Sequence, residues 1–180
     1  MTSLRVTGPS SPARTGVWIG IATITMSFAA YTSALVVRQG SGGDWQHFQL
    51  PPILILNTLV LVASSGTLEV GRRRSTVAGW LRLTLVMGLL FIGGQVLAWR
   101  DLAAQGLFLA TNPGSAFFYI LTALHALHLL GGVAALMYIL GRQRRAGGAV
   151  PLQALGAASL YWHFMTVLWL YLLLVLALRL

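Results

Sequence analysis

The chain of 180 residues contains no cysteine, no lysine and only three acidic residues. Without cysteine it has no disulfide framework, no thiolate metal site and no c-type haem attachment site. Charged residues make up 8% of the sequence, against about 25% in a typical soluble domain, while hydrophobic residues make up 57%. This composition excludes an ordinary soluble enzyme and a disordered chain.

The net charge of +9 would suit a nucleic-acid partner, but the distribution of that charge does not. All 12 basic residues are arginines, and they stand in small clusters between long apolar runs. A nucleic-acid-binding domain collects its basic residues on one face, whereas clusters between apolar runs are typical of membrane proteins. We therefore expect no nucleic-acid partner.

Five apolar stretches are long enough to cross a hydrocarbon core of about 30 Å. Backbone groups in lipid must bond within their own segment, so each stretch is predicted to be a transmembrane helix. The predicted fold class is an all-α, polytopic membrane helix bundle. Residues 1–15 are predicted to form a disordered tail, and no cleaved signal peptide is expected, because the following apolar run is too long. The membrane domain covers residues 16–180, with spans at about 16–37, 51–70, 77–99, 115–140 and 151–178.

The arginines also predict the orientation of the chain. When the spans alternate across the membrane, nine arginines fall on one side and three fall on the other, namely Arg38, Arg100 and Arg179. Cytoplasmic loops carry the excess of positive charge. The N-terminus and the tail are therefore predicted to be cytoplasmic, and the C-terminus external.

Two amides lie inside predicted spans. Asn57 is about six residues from the external end of the second span, and Gln95 is about four residues from that end of the third. At about 1.5 Å per residue the two depths nearly match, so the amides could bond across neighbouring antiparallel helices. A structural role between helices is favoured over a functional polar pathway.

Three histidines also lie inside predicted spans. His125 and His128 are three residues apart, on one face of the fourth helix, and His163 lies in the fifth at about the depth of His128. Imidazole can ligate haem or metal, but a metal site usually needs three or four ligands, and no carboxylate accompanies these histidines. We predict neutral structural histidines that bond to one another or to hydroxyls, with no metal and no cofactor. A membrane cytochrome with two histidine ligands is the alternative.

Two charged residues stand near the predicted cytoplasmic ends of spans. Glu69 is followed by Arg72–Arg74, so a local ion pair is the simpler interpretation and a proton-entry role is the alternative. Arg82 lies about one turn inside the third span, beside Trp80. Its stem can snorkel so that the guanidinium meets a lipid phosphate, although snorkelling without a defined lipid is simpler. No arrangement of acid, base and nucleophile predicts a catalytic residue.

Two stretches are more specific: NPGSAFFYILTALHALHLLGG at Asn112–Gly132 and YWHFMTVLWLYLLL at Tyr161–Leu174. They resemble the motifs STFF…TGFHGLHV…G and WYWHFVDVVWLFL of subunit III of the haem-copper oxygen reductases, the cytochrome c oxidase family. A weaker likeness joins LNTLVLVASSGTLE to another helix of that family. The positions that match are Ser115, Phe117, Phe118, Thr122, His125, His128, Gly131, Tyr161, Trp162, His163, Phe164 and Trp169.

The resemblance implies a five-helix form that lacks the first two helices of longer members. It also implies a non-catalytic subunit of a proton-pumping terminal oxidase, which passes electrons from cytochrome c or quinol to oxygen. Such a subunit stabilises subunit I, binds phospholipid and supports proton uptake, while haem and copper lie in the partner subunits I and II. The implied location is the bacterial inner membrane.

The sequence departs from the family pattern at three acidic positions. Ile24 stands where the family carries a buried acid, Thr166 replaces an aspartate of the last helix, and Ala98 replaces the acid that follows Gln95. These losses argue against the proton-buffering role that the resemblance would otherwise imply. The alternatives are a subunit III-like accessory protein of a nitric oxide reductase and, less favoured, a small transporter, which would need broken helices and embedded charges.

Overall fold

A computed structural model of the chain describes residues 12–41, 43, 45, 47–73, 77–145, 147 and 152–180. This part of the chain contains five α-helices and no strand. All five helices are long and apolar enough to cross a membrane, which confirms the predicted all-α membrane fold class. The helices are α1 (Pro12–Ser41), α2 (Ile53–Arg73), α3 (Val77–Ala104), α4 (Pro113–Arg145) and α5 (Leu152–Arg179).

The helices extend beyond the predicted spans. α1 begins at Pro12 rather than at about residue 16, and proline suits a first helical turn because its missing N–H has no partner there. Most of the predicted tail, residues 1–11, lies outside the described residues, as does Arg74 of the predicted arginine cluster. α4 continues to Arg145, so its last turn carries the arginines expected in a cytoplasmic loop.

Four of the helices form a ring. α2 packs against α3, α3 against α4, α4 against α5, and α5 against α2. α1 lies outside this ring and packs on α5 and α4. Its buried residues recur every three to seven positions and so form one apolar stripe, made of Ile21, Ile24, Phe28 and Leu35.

Large aromatic side chains fill the centre of the ring. The two largest fully buried side chains are Trp162 and Trp169, both from α5. They are seven residues apart, about two helical turns, so they project from the same face of α5 toward the ring axis. Each indole fixes a layer of the bundle interior.

Candidate functional site

Trp162 connects α5 to the three other helices of the ring. Its indole Nε1 donates a hydrogen bond to Ser64 Oγ of α2 at 3.0 Å. Its ring lies against Gly88 of α3 and Gly132 of α4, where an added Cβ would stand 2.6 Å and 3.1 Å from ring carbons. Both glycines therefore provide the space that this indole occupies, and a larger side chain at Gly88 would displace the ring.

Trp169 organises a second layer in the same way. Its Nε1 donates to Thr58 Oγ1 of α2 at 2.9 Å. Its ring meets Phe91 of α3 edge-on at 4.9 Å between centroids, and it meets the imidazole of His125 of α4 at 5.1 Å. Phe91 and His125 are also in edge contact, at 5.8 Å. Such geometry is favourable between aromatic rings, so this layer joins all four helices of the ring.

The two predicted amides lie on neighbouring helices, but they do not pair. Asn57 Nδ2 donates to the backbone carbonyl of Phe91 at 3.2 Å. The Asn57 side chain covers Gly94 of α3, where any Cβ would overlap it. Gln95 is fully buried, and neither its Nε2 nor its Oε1 has a hydrogen-bond partner. The predicted amide pair is wrong because Gly94 exposes the α3 backbone to Asn57, whose short side chain bonds there.

The histidines of α4 face different surroundings. His125 is fully buried in the Trp169 layer, and neither ring nitrogen has a hydrogen-bond partner. His128 is half-buried on the side of α1, where its ring contacts Phe28 edge-on at 5.8 Å. The Nδ1 atom of His128 lies 2.7 Å from the carbonyl of Leu124. The hydroxyl of Tyr161 donates a hydrogen bond to the backbone carbonyl of His128 at 2.9 Å.

His163 of α5 points toward α2 and away from both other histidines. Its Nδ1 lies 2.5 Å from Ser65 Oγ, and its Nε2 lies 3.7 Å from Glu69 Oε2. No bond between two histidines occurs in the described ranges, and His163 instead has a hydroxyl partner, the other arrangement that the sequence predicted. The reason is geometric, because equal depth does not make side chains on different helix faces meet.

Glu69 links two helices through its charged neighbours. Its Oε1 lies 2.8 Å from Arg73, and its Oε2 lies 3.1 Å from Nη1 of Arg72. The same Arg72 nitrogen donates to the buried Ser159 Oγ of α5 at 3.2 Å. The ion pair expected from the sequence therefore also contacts α5 through Ser159. The imidazole of His163, also on α5, lies next to the Glu69 carboxylate.

A cleft of about 370 Å³ opens beside this network. It is formed by α1, α2 and α5. The polar residues that line it are Arg14, Arg72, Gln153 and His163. This charged cleft differs from the aromatic layers, which are closed to the outside.

Trp80 and Arg82 are placed apart from this cleft. Trp80 lies in the contact between α3 and α2, because a Cβ added at Gly71 would stand 2.6 Å from the Cβ of Trp80. Its carbonyl accepts a bond from Thr84 Oγ1 at 2.9 Å, and that hydroxyl lies 2.9 Å from Thr67 Oγ1 of α2. Arg82 is exposed on the outer face of α3.

The hydrogen-bond partners of the indoles were not predicted from the sequence. Besides the two layers described, Nε1 of Trp99 donates to Thr122 Oγ1 of α4 at 3.0 Å. A buried indole N–H usually finds an acceptor, and hydroxyl residues in a neighbouring span can supply it. The abundance of serine and threonine in the second span was the available signal, but partners on separate helices cannot be assigned from spacing alone.

Comparison with known proteins identifies the family. A family model described as cytochrome c oxidase subunit III matches residues 18–178. The chain belongs to the cytochrome c oxidase subunit III family. The match covers the described membrane helices almost completely and confirms the resemblance carried by the two histidine-bearing motifs.

Individual relatives agree with this assignment. A probable cytochrome c oxidase subunit 3 of Mycobacterium tuberculosis is 35% identical over 157 residues, which cover 79% of this chain and 73% of the relative. A probable cytochrome c oxidase subunit 3 of Nocardia farcinica is 32% identical over 171 residues, with 86% and 81% covered. The cytochrome c oxidase subunit 3 of Thermostichus vulcanus is 29% identical over 170 residues, with 86% and 81% covered.

Proposed function

We propose that this chain is the non-catalytic subunit III of a bacterial terminal oxidase, located in the inner membrane beside subunits I and II. The observation that carries the proposal is the family match over residues 18–178. The side-chain chemistry supports the non-catalytic part. His125, His128 and His163 face three different surroundings, so they do not supply the opposed pair of axial ligands that haem needs.

The proposed contribution is mechanical support for subunit I. The ring of α2 to α5 is tied together by buried contacts, in which the two indoles each reach every other helix of the ring. Helices in lipid associate through close packing and interhelical hydrogen bonds, both of which this interior supplies. A ring of this kind offers a rigid surface against which a larger catalytic subunit can be held.

A supporting role in proton uptake is the second part of the proposal. Ile24 is buried in the apolar stripe of α1, so α1 offers no titratable group at the position where the resemblance leads us to expect an acid. Glu69 and His163 are each about one-third exposed at side-chain level, at 36%, and His163 lines the charged cleft. A carboxylate and an imidazole there can accept protons from water before passing them to a partner subunit.

Phospholipid is the third expected partner. The outer faces of the helices are apolar and exposed, which suits contact with acyl chains. Arg82 projects from the outer face of α3, where its guanidinium can meet a lipid phosphate. Trp80 is proposed as part of the same lipid site, and its contact with Gly71 fixes the end of α3 that carries Arg82.

The orientation is proposed from the arginine distribution. Gly147 would be cytoplasmic and Gly43 external. The chain has no cysteine of its own, so a single cysteine placed at either position reports its side through labelling by an impermeant reagent. Labelling of intact cells at position 147 but not at position 43 would contradict the proposed orientation.

Co-purification in mild detergent tests the assignment to an oxidase. A tagged chain is expected to bring with it haem absorbance and oxygen uptake driven by reduced cytochrome c or quinol. Recovery of nitric oxide reduction without oxygen uptake would assign it to the alternative complex, the nitric oxide reductase. The cytochrome c oxidase names of the relatives favour the first outcome. A haem spectrum from the isolated chain, without other subunits, would contradict the non-catalytic role.

A further inference from the structure

Gln95 and His125 lie at the same depth in the bundle. The register of α3 against α4 is fixed one turn away, where Trp99 Nε1 bonds to Thr122 Oγ1 and the Tyr119 hydroxyl donates to the carbonyl of Trp99 at 3.2 Å. Gln95 is four residues before Trp99 on α3, and His125 is three residues after Thr122 on the antiparallel α4. At 1.5 Å per residue, the offsets of four residues along α3 and three residues along α4 differ by about 1.5 Å, so the two side chains start from nearly the same depth.

Both side chains face the interior of the ring. Gln95 belongs to the buried face of α3, one turn beyond Phe91. Phe91 contacts the His125 ring, so it is a common neighbour of the two polar residues. Gln95 and His125 are each 0% exposed, and together they present four polar atoms without a hydrogen-bond partner.

The nearest polar side chains of this layer are already engaged. Asn57 Nδ2 donates to the carbonyl of Phe91. Thr58 accepts from Trp169 and donates to the carbonyl of Leu54 at 2.7 Å. Thr122, in the next layer, accepts from Trp99 and donates to the carbonyl of Phe118 at 2.7 Å. The donor groups of these three side chains are therefore already used, while Gln95 and His125 keep unpartnered polar atoms at the same depth.

We propose that one buried water molecule bridges the Gln95 amide and the His125 imidazole at the centre of the ring. Buried polar groups are almost always hydrogen-bonded, and buried water typically serves groups that lack a protein partner. A neutral imidazole has one donor and one acceptor nitrogen, and an amide has both functions, so water can bond to either combination. A metal ion does not fit, because one imidazole with one amide is too few ligands, and the described residues contain no group of three or more His, Cys, Asp or Glu side chains that could hold one.

The direct test is a cryo-EM map of the chain within the complex with which it purifies, at a resolution that shows ordered water. The expected result is one density peak about 2.7–3.2 Å from a polar atom of Gln95 and from a ring nitrogen of His125. A direct Gln95–His125 hydrogen bond, or separate protein partners for each without that peak, would overturn the proposal. This result does not depend on which complex contains the chain.

A mutant cycle tests the coupling independently. Gln95→Leu and His125→Leu should each lower the thermal midpoint of the assembled complex, because each leaves the water and the other residue with fewer partners. The double variant should unfold at a temperature no lower than that of the less stable single variant, because neither polar side chain is then left without the other. Thr84→Val combined with His125→Leu is the control and should give additive losses, because Thr84 lies about two turns from Phe91 and bonds to Trp80 and Thr67 instead.

Additive losses for the Gln95 and His125 pair would contradict a shared water. Non-additive losses for this pair support a bridge between the two side chains. The density map then shows whether that bridge is a water molecule or a direct hydrogen bond. If the variants do not assemble, the map of the unmodified chain still decides, since the density peak is either present or absent there.

Discussion

The ring of α2 to α5 and the outer helix α1 use similar hydroxyl residues in different ways. In the ring, Thr58 and Ser64 accept hydrogen bonds from indoles of α5. In α1, hydroxyls bond to carbonyls of their own helix one turn back, as Thr25 does to Ile21 at 2.8 Å. The same holds for Thr23, Ser27 and Thr32. The ring is therefore joined by shared polar contacts, whereas the membrane part of α1 attaches through its apolar stripe.

This difference predicts where substitutions are tolerated. α1 packs on only two helices, and Ile24 in its stripe contributes apolar packing without a hydrogen bond to another helix. A change inside the ring would instead disturb contacts among several helices. We therefore expect substitutions in the ring to have larger effects than chemically matched substitutions in α1 or on the outer surface.

Removal of the Trp169 ring should have the largest effect. Trp169→Ala leaves a cavity among Phe91 and His125, and truncation of a buried aromatic residue lowers the free energy of unfolding by about 3–5 kcal/mol. The matched change is Trp18→Ala in α1, since Trp18 is 53% exposed. Fluorescence-detected size exclusion of heated samples compares the thermal stability of the two variants. An equal loss of stability in both would mean that the ring is not the stable part of the molecule.

Overpacking at Gly88 should have the next largest effect. Gly88→Leu would force the Trp162 indole out of its position and should lower stability by about 1–3 kcal/mol, with loss of the Ser64 contact. Gly93 lies on the same helix with nothing within 4 Å of an added Cβ, so Gly93→Leu is the control. The yield of assembled complex is measured for both variants. A lower yield for Gly93→Leu than for Gly88→Leu would contradict the prediction and would indicate that the outer face of α3 contacts a partner.

Loss of a single hydroxyl compares ring and outer helix directly. Thr58→Val removes an interhelical bond and should lower stability by about 0.6 kcal/mol, typical of hydrogen bonds between membrane helices. Thr25→Val removes a bond within α1 and should change stability by less than about 0.3 kcal/mol. Chemical unfolding in mixed micelles measures both. A larger loss for Thr25→Val would contradict the proposed division of roles.

The smallest effect on stability is expected at Glu69. Its carboxylate and its two arginine partners are more than one-third exposed, and exposed ion pairs contribute about 0–1 kcal/mol. Glu69→Gln should therefore leave assembly intact while reducing the rate of proton uptake by a modest factor, less than about tenfold. Flow-flash measurement of proton uptake tests this, with Arg82→Gln as the control away from the cleft. An unchanged rate would remove Glu69 from the proposed proton entry.

Hydrophobic run length was sufficient to predict the five helices, because crossing a hydrocarbon core requires about 20 apolar residues whatever the tertiary contacts are. Depth was also predictable, since Asn57 does lie beside α3 near Gln95. Side-chain partners were not predictable, because they depend on the rotation of each helix about its axis. That rotation turns His163 toward Ser65 and Glu69 instead of toward His128. The position of α1 outside the ring has no signal in local sequence either.

The supporting role of this subunit is tested most directly by comparing the intact oxidase with the same complex after the subunit has been removed. The haem spectrum is expected to be unchanged, and the initial rate of oxygen uptake is expected to stay close to that of the intact enzyme. Over many turnovers, the depleted complex should lose activity sooner and dissociate more readily, because its support is gone. Immediate loss of all oxygen uptake together with bleached haem bands would show that this chain holds part of the redox centre, and would contradict the account.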